Sequence, residues 1–491
     1  MPSPAHSAKV GRFTLPPPPL PHRMTSTSPS AAPTRVRYSV LFLLCLLAMI
    51  TYLDRAMYGS AKDDMMDAVG QPREDFFLVL VVFQLAYALF EIPTGWMGDT
   101  YGPRKTLLRI VLWWSLFVSL TAFAGVAIPG SGVIVIGFGV LVGMQFLFGM
   151  GEAGAFPNIT RAIYNWFPED RRGSAKGAIW MSARLMGGLT PALWVLLVVI
   201  AGLSWRQALW LFSTVAVVWC ILFYRRFRNV PAEHPGVNDA ERRLIEAGKV
   251  TASRASRVPW GVIVRSRNVW ALCIMYTVTN FNWYFLMYYL PGTLKAQFPE
   301  WKGTDGGLLL LGILAGAPLL VGMGGCLLGG YLTDHYIRRT GDRKWGRRIF
   351  GMLGYGLAGL CYALSTLFTG GGSHDPTRLW LFAGCLMLVG FCNDLIMGPA
   401  WATAQDIGRR YTAIVAGTMN MVGNLGAALG NYVTGRILKA HTVGDTVQTD
   451  GYVICFLMFA VVYALGVVAW LFIDPTKPVD PDDQAERLDK V

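Results

Sequence analysis

Gly95-Trp96-Met97-Gly98-Asp99, followed by Gly102-Pro103-Arg104-Lys105, is echoed at Gly330-Tyr331-Leu332-Thr333-Asp334, followed by Arg338-Arg339 and Gly341. Each copy lies just past a long apolar run. A G-x-x-x-D segment before a basic cluster lets a helix end pack closely, puts a carboxylate near the next helix's N-terminus and supplies cations for it to pair with. One copy is a weak signal, but two copies in corresponding places imply a chain built from two related halves.

Working outward, windows of about 19 residues predict helices over roughly 37–57, 75–98, 104–126, 132–156, 173–200, 205–226, 268–291, 306–333, 347–369, 378–402, 411–438 and 451–473. An apolar run of about 20 residues is what crossing a bilayer takes. The composition agrees, with 53% hydrophobic and only 15% charged residues, against roughly 25% charged in soluble domains. The expected fold is therefore an all-α membrane protein of twelve transmembrane helices in two six-helix bundles.

The net charge of +13 does not point to nucleic acid, because the basic residues fall in alternate short loops. Arg104 and Lys105, Arg171 and Arg172, Arg225 and Arg226, Arg338 and Arg339, and Arg409 and Arg410 follow the even-numbered helices. The intervening loops are poorer in cations, and the first carries Asp63, Asp64, Asp67 and Glu74. By the positive-inside rule the basic loops and both termini are cytoplasmic, in a cell membrane. The expected division is a disordered tail over 1–35, bundles over 36–227 and 268–473 joined by a cytoplasmic linker over 228–267, and a second tail over 474–491. The eight cysteines lie in apolar runs without metal-ligand spacing and read as small buried hydrophobes. Neither a metal nor a cofactor is expected, and no nucleophile or catalytic dyad at usable spacing suggests an enzyme.

Three further segments join the paired loop motif: Tyr52-Leu53-Asp54-Arg55; Gly151-Glu152-Ala153-Gly154-Ala155-Phe156-Pro157 running on to Arg161 and Trp166-Phe167-Pro168; and Glu233-His234-Pro235 to Glu241. The loop motif resembles the signature of the major facilitator superfamily, and the three segments resemble its anion:cation symporter branch. That resemblance implies two halves rocking around a central cavity. It also implies a small organic anion as substrate, an aldonate, aldarate or uronate first and an aromatic acid such as phthalate next. A proton is the expected co-substrate and the carrier is expected to be monomeric in the lipid bilayer. A drug or siderophore exporter and a non-transporting nutrient sensor are the alternatives.

Ionisable groups at bilayer depth are costly and need a partner or a task. Arg55 suits a carboxylate anchor, because its planar fork binds bidentately and stays charged. Asp54 and Glu152 are the candidates for carrying a proton. Gln145 shares a face with Glu152, and the resemblance puts an arginine often at that position. Arg184, about 18 Å into the fifth helix at 1.5 Å per residue, is expected to compensate for that missing charge. Its structural alternative is a partner for Glu152 or Glu91. Tyr87 matches a substrate-contacting tyrosine of the family and shares its helix face with Glu91. In the second half Asn282, Tyr284, Asn393, Asp394, Asn420 and Asn424 offer hydrogen bonds to substrate hydroxyls, or between helices. Gly95, Asp99, Gly102, Arg104, Lys105, Gly330 and Asp334 form the expected gating motif.

Overall fold

The computed structural model describes residues 32–127, 135–246, 260–370, 376–408, 411–444 and 446–479. The tail expected over 1–35 therefore lies almost wholly outside the described residues, as do much of the linker and most of the second tail. Within the described residues the protein is helical, apart from a two-residue hairpin of β1 (Thr442–Val443) and β2 (Thr446–Val447).

In the first half the membrane crossings are α1 (Val36–Ala68), α2 (Phe76–Tyr101), α3 (Pro103–Thr121), α4 (Phe138–Glu152) continued by α5 (Ala155–Trp166), α6 (Glu169–Trp194) and α7 (Trp205–Arg226). The linker carries α8 (Asp239–Glu246) and α9 (Trp260–Arg265). The second half has α10 (Arg267–Tyr288) with α11 (Leu290–Gln297), α12 (Asp305–Thr340), α13 (Arg343–Ser365), α14 (Pro376–Leu395) with α15 (Met397–Gly408), α16 (Thr412–Ala440) and α17 (Thr449–Phe472). Twelve crossings result. Among the described residues, nine helical segments qualify as spans by length and composition alone. The other three, α3, α10 and α16, carry more polar residues and sit inside the same bundles.

The packing repeats with a shift of six crossings. In the first half α1 packs on α6, α2 on α4, and α3 on α4 and α7; in the second α10 packs on α16, α12 on α14, and α13 on α14 and α17. The halves meet through α6 against α12 and α2 against α16, contacts that the same shift exchanges. The G-x-x-x-D echo is thus the sequence trace of a repeated bundle.

Four expectations are corrected. The first helix runs eleven residues beyond 57, because the acidic stretch after Tyr58 packs beside α11 instead of forming a loop. Asp54 and Arg55 consequently lie near the middle of the helix instead of within its last four residues. The fourth crossing breaks at Ala153 and Gly154, where a Cβ on Gly154 would lie 2.6 Å from Thr94 Cβ. The seventh and tenth crossings also break, near Tyr289 and Ile396. Beyond Pro191 the fifth turns into a π-helical segment, Val195–Ile200, consistent with the hydrogen bond that an interior proline removes.

At the end away from the basic loops the two halves come close at glycines. A Cβ on Gly59 would stand 2.8 Å from Met287 O, one on Gly312 would stand 3.0 Å from Pro191 O, and one on Gly188 would stand 2.9 Å from Gly316 O. Lys439 Nζ bridges to Asp75 Oδ1 at 2.5 Å on the same rim. Small residues allow this close backbone approach, which is how membrane helices pack where hydrophobic burial supplies no net drive.

Linker and first helix are joined as well. The buried carboxylate of Glu241 accepts from Thr34 Oγ1 at 2.5 Å, Val36 N at 3.2 Å, Arg37 N at 3.2 Å and Arg37 Nη1 at 2.9 Å. It satisfies first-turn donors that α1 leaves without a capping side chain of its own.

Candidate central binding site

Each half presents charge toward the middle of the molecule. From α1, Arg55 Nε donates to Glu152 Oε1 of α4 at 2.7 Å, with the two side chains 4% and 1% exposed. The guanidinium lies 4.5 Å above the Tyr87 ring of α2, a cation–π contact that holds it in place. Arg55 Nη2 and Glu152 Oε2 are buried without a hydrogen-bond partner. The pair is therefore made on one side and open on the other. Asp54, next to Arg55 in the chain, does not bond to it. Both of its carboxylate oxygens are buried and unpartnered, as is Nε1 of neighbouring Trp114.

Arg184 behaves differently. It meets neither Glu152 nor Glu91, the two partners of its structural alternative. Nε donates to Asp394 Oδ2 at 2.7 Å and Nη2 to Asp394 Oδ1 at 2.8 Å, while Nη1 donates to Tyr52 Oη at 3.1 Å. Its guanidinium also stacks 4.4 Å over Trp283 of α10. This fork-to-fork pair is the strong geometry for a buried ion pair, and it ties α6 of one half to α14 of the other. Gly322 of α12 leaves room for it, since a Cβ there would lie 2.5 Å from Asp394 Oδ2.

Tyr52 is a neighbour of both arginines, its ring centre 5.7 Å from each guanidinium carbon. Those carbons are thus at most twice that distance apart. Phe156 and Trp283 meet the Tyr52 ring edge-on, each at 6.2 Å, and Phe156 stacks on Trp180 at 4.7 Å. The site is two guanidinium groups in an aromatic cage, each facing a carboxylate.

The other predicted residues divide. Tyr284 is buried in the cage, stacked edge-on to Trp283 at 5.0 Å, and its hydroxyl reaches Asn424 Oδ1 at 3.4 Å. Asn420 donates to Glu91 Oε1 across the two halves; Glu91 Oε2 is buried without a partner. Asn282 spends its amide on Val278 O of its own helix at 3.0 Å, leaving Oδ1 unpartnered. Asn393 accepts from Tyr463 Oη of α17 at 2.9 Å, and its Nδ2 donates to Asp394 Oδ1 at 3.4 Å. Gln145 is buried on α4, and its Nε2 lacks a partner.

At the basic end Gly102 takes φ 82°, which favours glycine, and lets α3 start at Pro103. Arg104 N donates to Asn229 Oδ1 at 3.0 Å and its Nη2 to Tyr224 O at 2.5 Å, while Lys105 is exposed. Gly95 packs toward Pro157, where a Cβ would meet Pro157 Cβ at 3.6 Å. The Asp99 side chain lies outside the described residues. In the second copy Gly330 takes the backbone of α15 at close range, with a Gly398 Cβ only 2.7 Å from Gly330 N. Asp334 pairs with Arg347 at 3.4 Å, and Arg347 with Asp406 at 3.2 Å.

Sequence reasoning missed Tyr52 and Trp283 as parts of the site and grouped Asp394 with hydroxyl-binding amides. A signal for Asp394 was present. It is the acid nearest the middle of any second-half crossing, and a midplane arginine needs a counterion.

Residues 44–431 match the family model described as Major Facilitator Superfamily. The chain is 30% identical over 458 residues to the probable sulfoacetate transporter SauU of Cupriavidus necator, covering 92% of this chain and 98% of that one. It is 25% identical to the probable galactarate/D-glucarate transporter GudP of Bacillus subtilis, over 84% and 88% of the two chains. It is also 25% identical to the probable L-galactonate transporter of Escherichia coli, over 89% of each. In fold it is similar to the crystal structure of a bacterial homolog of the human lysosomal transporter Spinster in an inward-facing and unoccupied conformation, with a TM-score of 0.64 at 16% identity, covering 89% of this chain and 96% of that chain. Twelve crossings in two repeated bundles, a paired loop motif and matches over nearly the whole length agree: this chain belongs to the Major Facilitator Superfamily.

Proposed function

We propose that the protein is a secondary transporter that imports a small organic anion together with a proton, by alternating access around the Arg55 and Arg184 site. The observation that carries this reading is the half-made Arg55–Glu152 pair. Arg55 keeps one buried donor free for an acid group of the substrate, and Glu152 keeps one buried oxygen free for a proton. Substrate and proton then compete for the same bond in complementary ways. A carboxylate or sulfonate arriving at Arg55 weakens its hold on Glu152, and a protonated Glu152 releases Arg55 to the substrate. Asp54, one residue away and without a hydrogen-bond partner, is a second place for a proton, since an unpaired carboxylate at that depth is tolerable only as the neutral acid.

The substrate class follows from the site and the relatives together. Relatives are named for sulfoacetate, for galactarate and D-glucarate, and for L-galactonate, all small acids, most of them sugar acids. Two guanidinium groups supply the anion sites, and Tyr87, Tyr284, Asn420 and Asn424 supply hydroxyl partners. With the basic loops cytoplasmic, the glycine-lined seal is on the outer face, so the conformation is closed to the outside.

Proteoliposomes test the reading. Purified protein should accumulate at least one of radiolabelled sulfoacetate, D-glucarate or L-galactonate inside vesicles with an alkaline lumen, and accumulation should vanish when the pH gradient is collapsed. Accumulation unaffected by the collapse would remove the proton, and binding of none of the three acids, read as thermal shift, would remove the substrate class.

A further inference from the structure

Arg184 and Asp394 make a complete, bidentate ion pair across the two halves, and nothing in the proton cycle above uses it. Its completeness contrasts with the half-open Arg55–Glu152 pair beside the same Tyr52 ring. Every described guanidinium nitrogen of Arg184 is engaged: two by Asp394 and one by Tyr52. Asp394 is held there from its own half, with Asn393 Nδ2 at 3.4 Å from Oδ1 and Gly322 leaving a space that a methyl group would fill. A carboxylate so placed on a cation, one tyrosine ring away from the substrate's anchor, has the chemistry and position of a second acid group of a bound ligand.

The geometry points to Asp394 as a tethered counter-anion that holds the second anion seat of the central site, so that an incoming substrate carrying two acid groups displaces it from Arg184. This rests on the transport reading above and narrows its substrate to small dianions such as a sulfonated carboxylate or an aldarate. One acid group meets the open face of Arg55. The other takes Arg184 from Asp394, and the span fits a small molecule because both guanidinium carbons lie 5.7 Å from the Tyr52 ring centre. A substrate with a single acid group leaves the pair intact.

The exchange also has a mechanical result. Because Arg184 is on α6 and Asp394 on α14, the pair bridges the halves; replacing Asp394 by a free ligand converts a covalently anchored bridge into one that leaves with the substrate. In the empty carrier Asp394 neutralises Arg184, so the empty protein can reorient without carrying an unpaired buried cation, which is expensive inside a membrane.

Asp394→Asn separates this from a structural bridge. Binding of sulfoacetate and D-glucarate, each with two acid groups, is compared with that of L-galactonate, with one, in detergent-solubilised protein and then in proteoliposomes. The expected result is that the variant binds the two dianions at least tenfold more tightly than the parent and L-galactonate within threefold, since a charge-assisted hydrogen bond no longer has to be exchanged. Counterflow exchange of dianion survives, whereas net uptake, which needs the empty carrier to return, falls at least tenfold. The double variant Arg184→Gln/Asp394→Asn, which removes both charges of the pair together, should lose the dianion preference, its affinities for the two dianions falling at least tenfold relative to that for L-galactonate, and it serves if Asp394→Asn folds poorly. Equal changes for dianions and monoanion in both variants overturn the proposal while leaving the transport reading standing. Binding of none of the three acids by the parent protein overturns both.

Discussion

Replacing Glu152 by glutamine removes a charge while keeping the shape and the acceptor that Arg55 Nε uses at 2.7 Å. Arg55 stays ionised, so its bond to the amide oxygen remains at the lower end of the about 1.5–3 kcal/mol that hydrogen bonds to charged groups are worth, and losing the carboxylate's charge loosens the pair by roughly 1–2 kcal/mol. That loss falls on the empty protein, because the substrate's acid group becomes the better partner for Arg55. A change of this size is a factor of about 5–30 in an equilibrium, and substrate binding should therefore be retained or tightened by up to that factor. Coupling should go the other way. One proton moving down a gradient of one pH unit is worth about 1.4 kcal/mol, enough for about tenfold accumulation. A glutamine can neither load nor empty a proton, so the accumulation ratio should fall to about one. The assay is radiolabelled uptake in proteoliposomes with and without a pH gradient, beside counterflow exchange at equal protein insertion. Parental accumulation by Glu152→Gln would refute the coupling role and move it to Asp54. Joint loss of binding, exchange and stability would show that Glu152 only braces α1 against α4.

Arg55→Lys keeps the charge but not the fork, and substrate affinity should drop about tenfold or more, measured by thermal shift titration; an unchanged affinity excludes Arg55 as the anchor. Arg184→Gln leaves Asp394 buried and unpaired, which costs about 3–5 kcal/mol, so its melting temperature should fall clearly further than that of Gln145→Ala, and a reversed order would mean that Arg184 is not the central cation. Gly316→Leu puts a side chain into the outer seal against Gly188; single cysteines placed between that seal and the Arg184 site should then label faster with an impermeant maleimide, and unchanged labelling would show that the seal is elsewhere. Glu241→Ala removes the acceptor of four donors around the start of α1 and should destabilise the protein by about 1–2 kcal/mol, seen as a lower melting temperature without a change in substrate selectivity.

The topology could be read from sequence because lipid imposes its own periodicity. Apolar runs, alternating basic loops and the G-x-x-x-D echo are local patterns, and each survived into the structure. Breaks inside crossings left an ambiguous trace: Pro291-Gly292 follows Tyr289 and Gly398-Pro399 follows Ile396, but membrane helices tolerate proline and glycine in their interior, so these pairs alone do not separate a break from a continuous helix. For the site, residue types were legible and partners were not. Arg55, Glu152 and Arg184 stood out by the cost of charge at depth. Which acid meets which base depends on helix rotation and on contacts between residues 97 and 210 positions apart, and no local pattern records that. The asparagines show the same limit: Asn420 reaches across to Glu91 whereas Asn393 joins Tyr463 to Asp394 within its own half, although in sequence both are amides interrupting apolar helices.

The carboxylate of Glu241 bears on the order in which the molecule is made. Its hydrogen-bond partners at the start of α1 lie 204 to 207 positions earlier in the chain. On a ribosome adding about 5–20 residues per second, the first helix waits on the order of ten seconds or more for the group that satisfies its leading amides. By then all six crossings of the first half have been synthesised and none of the second has. The clasp closes on a finished bundle, and so marks the first half as an assembly unit before its counterpart exists.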